Sequence, residues 1–108
     1  MTVDALAEAL QLQQIVVCDG GRRVTGGYTG DLLSWVMGRA QMGEVWVTIM
    51  SNSNIIAVAT LVDVACIVLA EGVQPDVGVM EAARARGINL LGSEASAFAL
   101  CAQVTQLL

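Results

Sequence analysis

Four short polar stretches of this chain have the residue types to engage a small molecule, and each lies where a helix is expected to begin. The first is Thr25-Gly26-Gly27-Tyr28-Thr29-Gly30-Asp31. Its unshielded backbone N–H groups could cradle an anion at a helix start. It lacks the lysine and following hydroxyl of a P-loop and does not keep the dinucleotide-fingerprint spacing, and a plain glycine-built turn has the same composition. The second and third are Ser51-Asn52-Ser53-Asn54 and the pair Ser93 and Ser96, whose hydroxyls and amides serve equally as helix caps or as ligand contacts. The fourth is Glu71-Gly72. Asp19, Asp31 and Glu71 would make an acid/base or magnesium set if the fold brought them together; as separate turn carboxylates they would simply be solvated.

The chemistry this inventory excludes is broad. The chain has no histidine, and its five basic residues are all arginine, so the common general bases and activated amine nucleophiles are missing. Cys18, Cys66 and Cys101 are far apart and set in apolar runs, without metal-ligand spacing. They read as reduced thiols of a cytoplasmic protein, and neither a cofactor nor a metal is expected. A net charge of −5 would repel a phosphate backbone, which argues against nucleic acid as a partner. Asp4 and Glu8 make the N-terminal segment unlike a secretion signal. The apolar stretch Ile55–Ala70 is broken by Asp63 and falls short of the roughly 20 residues of a membrane span.

Periodicity supplies the elements that position these groups. Val3, Leu6, Ala7 and Leu10 share a helical face, with Thr2 as its N-cap. Ile15-Val16-Val17 reads as a strand closed by Asp19-Gly20-Gly21, and a short second strand is expected within 22–28. Asp31 is placed as the cap or lead residue of a helix burying Leu32, Leu33, Val36 and Met37, with Trp35 pointing away as an interface candidate. Glu44–Met50 reads as a strand. The following helix, Ile55–Val62, is apolar all round, so Ile55, Ile56 and Val58 are expected to be covered by the sheet on one side and a second subunit on another. Ala65–Ala70 reads as a buried strand. Pro75-Asp76 opens a helix with Val79, Met80 and Ala83 inward and Gly87 at its end. Ile88–Leu91 is a last strand, and a C-terminal helix carries the stripe Ala97, Cys101, Val104, Leu108.

The alternation of strands and helices from residue 44 onward predicts an α/β fold: a mixed, largely parallel sheet of about five strands with helices packed on it, in one domain spanning 1–108. Ligands of such sheets gather at the carboxyl ends of the strands. That edge is expected to collect residues 51–54, 71–76 and 92–96, joined by 25–31. With 56% of its residues apolar, a chain this small has more hydrophobic material than one core hides, which predicts a homodimer or a partner surface.

The segment Gly26-Gly27-Tyr28-Thr29-Gly30-Asp31-Leu32-Leu33-Ser34, the strand Val45-Trp46-Val47-Thr48-Ile49 and the later Ser96-Ala97-Phe98 together resemble a DRTGG domain, and the likeness runs over nearly the whole chain. That family resembles the N-terminal domain of HPr kinase/phosphorylase and occurs beside CBS and phosphotransacetylase domains as well as alone; this chain is similar to the stand-alone form. The family's Asp-Arg falls on Ser53-Asn54 and its Thr-Gly-Gly on Ala70-Glu71-Gly72, so of those five residues only a glycine, Gly72, is kept. The resemblance implies a regulatory, ligand-sensing domain. It carries over no kinase activity, because the kinase's P-loop belongs to a separate domain. The alternative is a protein-interaction subunit of a metabolic or redox enzyme complex.

Overall fold

The computed structural model describes all 108 residues. The chain runs α1 (Val3–Leu10), β1 (Gln13–Val16), β2 (Gly26–Thr29), α2 (Leu33–Arg39), β3 (Glu44–Thr48), α3 (Asn54–Val62), β4 (Cys66–Leu69), α4 (Val77–Arg86), β5 (Leu90–Gly92) and α5 (Ala97–Leu107). The five strands form one sheet in the order β1-β5-β4-β3-β2. β2, β3, β4 and β5 are parallel, and β1 closes one edge antiparallel to β5. The parallel winding therefore begins at β2, one unit earlier than residue 44.

Strands buried on both faces read as unbroken apolar runs. β4, Cys-Ile-Val-Leu, is buried at every position, and β3 at all but its first. Their alternate side chains divide two cores. Trp46, Ile67, Leu69 and Leu90 face the layer of α2, α3 and α4, while Val45, Val47, Cys66, Val68 and Leu91 face α1 and α5. Two polar side chains are fully buried, and both are hydrogen-bonded, as burial demands. Asn89 accepts from the N–H groups of Cys18 and Asp19 and donates to the carbonyls of Asp19 and Ala65. The Thr48 hydroxyl donates to Asp31 at 2.7 Å and accepts from the Met50 N–H.

Helix ends follow their caps. Thr2 accepts from the Ala5 N–H, Ser96 from the Ala99 N–H, and Gly87 ends α4 at φ +70°, a left-handed position where glycine carries no Cβ penalty.

Expectations about two helices are corrected. Ile55, Ile56 and Val58 are buried within the protomer, because α3 is the middle helix of its layer, flanked by α2 and α4 as well as backed by the sheet. Of the large residues of α3, only Leu61 is strongly exposed. In α2, Leu32 and Met37 are exposed and Val36 alone is fully buried. The helix starts only at Leu33, and Asp31 does not cap it: its carboxylate is held by β3 instead.

Candidate functional site

The carboxyl ends of β2 to β5 and the start of β1 lie on one edge of the sheet, and most of the expected polar clusters are there. At the β3 tip, Asp31 Oδ1 accepts from the Thr48 hydroxyl and, at 3.0 Å, from the Ile49 N–H. Asn52 Oδ1 accepts from the Asn54 N–H, while Ser53 stands at the N-cap of α3 without a side-chain bond. At the β4 tip, Glu71 adopts a left-handed conformation, φ +61°, and its Oε2 accepts from the Ala97 N–H in the first turn of α5. Gly72, at φ +72°, a backbone conformation that favours glycine, lies against the Glu94 carboxylate, which a Cβ would push aside. Backbone bonds from the Glu71 N–H to the Ala95 carbonyl and from the Gly72 N–H to the Ser93 carbonyl join the β4 and β5 loops. Ser93 Oγ accepts from the Ala95 N–H. The side chains of Asp31, Asn52, Glu71, Ser93 and Ser96 are thus engaged in holding their own loops.

Thr25, Gly26 and Gly27 lie elsewhere. They occupy the start of β2, at the opposite edge, where the Thr25 hydroxyl donates to the Met42 carbonyl. Gly26 and Gly27 are strand residues, and neither they nor Gly30 has positive φ, so the run is not the glycine turn expected of it. The residue it positions is Trp46, whose indole N–H donates to the Gly30 carbonyl at 2.9 Å. Asp19 also lies at the opposite edge, in the turn after β1 that Asn89 holds. Asp19, Asp31 and Glu71 therefore form no common acid/base or magnesium site, because the strands that carry them end on different sides of the sheet or at separate tips.

Two cavities are present. One, of about 260 Å³, opens at the strand-tip edge among Leu10, Gln11, Gln13, Gln74 and the segment 92–95. Sequence reasoning missed Gln11, Gln13, Gln74 and Glu94, because the β1–β5 pairing that sets Gln13 opposite Gly92 is a long-range contact. The only advance signal was the Gln11-Leu12-Gln13-Gln14 run, which spans the end of α1 and the start of β1. The other, of about 180 Å³, is an apolar groove between edge strand β2 and α5, with Tyr28, Val47, Cys101 and Leu108 among its walls.

Charge is strongly polarised along the strand axis. Arg22 and Arg23 precede β2, Arg39 is in the last turn of α2, and Arg84 and Arg86 are in the last turn of α4. The backbone of all five therefore lies toward the amino-end edge of the parallel strands, where Arg22 pairs with Asp63 at 3.0 Å, while the Arg39 guanidinium folds back along α2 onto Trp35. The strand-tip loops hold Asp31, Glu71, Asp76 and Glu94 and no arginine. Several exposed apolar side chains, Leu32, Ile49, Val77 and Phe98, also stand at this edge. Trp35, one turn into α2, is 54% exposed and stacked by the Arg39 guanidinium, 3.5 Å from the ring centroid.

No protein-family model and no curated protein matches the chain. Among solved structures, part of the structure of the CBS and DRTGG domains of the regulatory region of Clostridium perfringens pyrophosphatase, complexed with the activator diadenosine tetraphosphate, has the same fold. The TM-score is 0.77 at 13% sequence identity, over 99% of this chain and 47% of that one. The chain thus spans just under half the length of that structure. The likeness is one of fold, and it agrees with the DRTGG-like α/β architecture expected from the sequence.

Proposed function

We propose that this chain is a regulatory, ligand-sensing domain of the DRTGG type, without chemistry of its own, working in the cytoplasm as a homodimer. The observation that carries this reading is the fold likeness over 99% of the chain to part of a regulatory region that was solved with a nucleotide activator. The strand-tip edge is where ligands of open parallel sheets bind, and here it combines a cleft with loops from β1, β4 and β5. A ligand bridging those loops would stiffen the junction between α1, β1 and α5, and a bound partner enzyme would sense that change. The want of histidine and lysine supports a binding role over a catalytic one, and the three free thiols fit a reducing compartment.

With Ile55, Ile56 and Val58 inside the protomer, the interface candidate is Trp35. A large half-exposed indole fixed by a guanidinium is the kind of rigid anchor that dominates interfaces. A thermal-shift panel of nucleosides, nucleotides and acyl phosphates tests the sensing role. A ligand at a hundred times its Kd adds about 2.7 kcal/mol, which raises the Tm of a domain this size by on the order of 10 °C. Light scattering behind size exclusion tests the dimer. No stabilisation by any compound, together with a monomer at micromolar concentration, would overturn the proposal. The alternative, a protein-interaction subunit of a metabolic or redox enzyme complex, is favoured by Phe98, which is 87% exposed at the start of α5, and would then account for the domain.

A further inference from the structure

We infer that the strand-tip cleft takes a small ligand with an uncharged, amide-like hydrogen-bonding edge, such as a nucleobase or a primary carboxamide, and excludes phosphorylated compounds. This rests on the ligand-sensing reading above and specifies the class of ligand.

Few polar side chains at this edge remain free. Most other polar groups at this edge are bonded to their own loops, as described for Asp31, Asn52, Glu71, Ser93 and Ser96. Ser53 and Asn54 are exposed, but no cavity opens beside them. In the cleft, Gln11 and Gln13 make no side-chain hydrogen bond within the protein, and Gln74 makes only a long one, 3.4 Å, to the Gly72 carbonyl. Each primary amide offers two donors and an acceptor with two lone pairs in one plane. That is the pattern which pairs in a bidentate way with a base edge or a second amide.

The cleft is also kept open. Gly92 sits in its wall, and a Cβ there would meet Ile15 Cδ1 at 3.2 Å and Gln13 Oε1 at 3.5 Å, so any side chain at this position would enter the space beside Gln13. Gln11 ends α1 in the left-handed region, φ 53°, where glycine or asparagine is favoured. The volume of about 260 Å³ lies below the roughly 300–1,000 Å³ of sites for drug-sized ligands and suits a group the size of a nucleobase or an amide.

Charge decides against phosphate. Glu94 lines the cleft, Glu71 is beside it, and no arginine is among the lining residues. A polyanion here would meet carboxylates with no cation to offset them. Glu94 has acceptor oxygens for hydroxyl or amino groups attached to the ring.

The test is an amide-resolved NMR titration of the intact protein with adenosine, nicotinamide and sodium tripolyphosphate in parallel. Adenosine or nicotinamide is expected to shift residues 10–13, 74 and 92–95 and the side-chain amides of Gln13 and Gln74, and tripolyphosphate to leave them unmoved; which of the two binds separates the nucleobase from the carboxamide. The doubly substituted Gln13→Ala/Gln74→Ala protein should bind about tenfold more weakly, as expected for losing two hydrogen bonds. Both positions are exposed, so its fold should be intact, which its amide spectrum checks directly. Tripolyphosphate binding in the cleft would overturn the inference and leave a sensing role standing. Adenosine or nicotinamide binding only near Ile49 or Asn52 would do the same. If no probe binds anywhere, the inference fails, and a small-molecule role survives only if the wider thermal-shift panel finds a ligand.

Discussion

Replacing Asp31 by alanine should cost the fold about 2 kcal/mol, although Asp31 looks like a functional residue: a lone carboxylate after a glycine-rich run at the strand-tip edge. In the structure its Oδ1 accepts from the Thr48 hydroxyl at 2.7 Å and the Ile49 N–H at 3.0 Å. Hydrogen bonds to a charged acceptor contribute roughly 1.5–3 kcal/mol each when shielded from water. The Ile49 N–H is exposed, so water replaces most of what is lost there. Thr48 is only 1% exposed, so its hydroxyl loses its acceptor, and that accounts for most of the cost. With a urea m-value of about 1–1.5 kcal/mol/M for a domain of this size, the midpoint should fall by between about 1 and 2 M. Asp31→Asn keeps an acceptor in place and should cost less than about 1 kcal/mol. A double-mutant cycle with Thr48→Val should return a coupling of at least about 1 kcal/mol. If Asp31→Ala unfolds within 0.5 kcal/mol of the parent and instead abolishes a ligand response, the assignment of Asp31 to loop anchoring is wrong.

Asn89→Leu should cost roughly 2–4 kcal/mol in urea unfolding, because the N–H groups of Cys18 and Asp19 and the Ala65 carbonyl lose their partner together. Gly87→Ala meets open space but a φ of +70°, so it should cost about 1 kcal/mol from backbone conformation alone; a neutral result would mean that the helix end rearranges. Burial pushes the Cys66 thiol up to about 12 from 9.0. The unfolded thiol ionises near 9 while the folded one stays protonated, so stability present below pH 9 should be lost as the pH rises toward 12. In that window the folding equilibrium should fall by up to about tenfold per pH unit, and Cys66→Ala should flatten the profile. Trp35→Ala should change stability by no more than about 0.5 kcal/mol yet weaken the proposed dimer on the order of 30-fold in analytical ultracentrifugation, as the loss of a hot spot would. An unchanged dissociation constant would remove Trp35 from the interface.

The parts of this molecule legible in its sequence are those set by local physics. The all-apolar β4, the caps at Thr2 and Ser96, and the Gly87 stop are each visible within a few residues. The parallel order could be read because strands and helices alternate with short connections. What could not be read depends on neighbours distant in sequence. The apolar girth of α3 gave no sign whether helices or a second subunit would cover Ile55 and Val58, and α2 and α4 proved sufficient. Gly26 and Gly27 have turn composition yet form a strand, because β3 offers them a parallel partner. Asp31 was misplaced as a cap because its true partners, Thr48 and Ile49, lie 17 and 18 residues away. The glutamine cleft was invisible because α1, β1, β5 and the loop after β4 meet only in the folded chain.

The most direct measurement is a crystal structure of the protein isolated from its own cells without ligand exchange. The expected result is density for a compact, phosphate-free molecule against Gln13, Gln74 and Glu94. A cleft closed by its own glutamines, or one holding a phosphorylated compound beside Glu94, would contradict it.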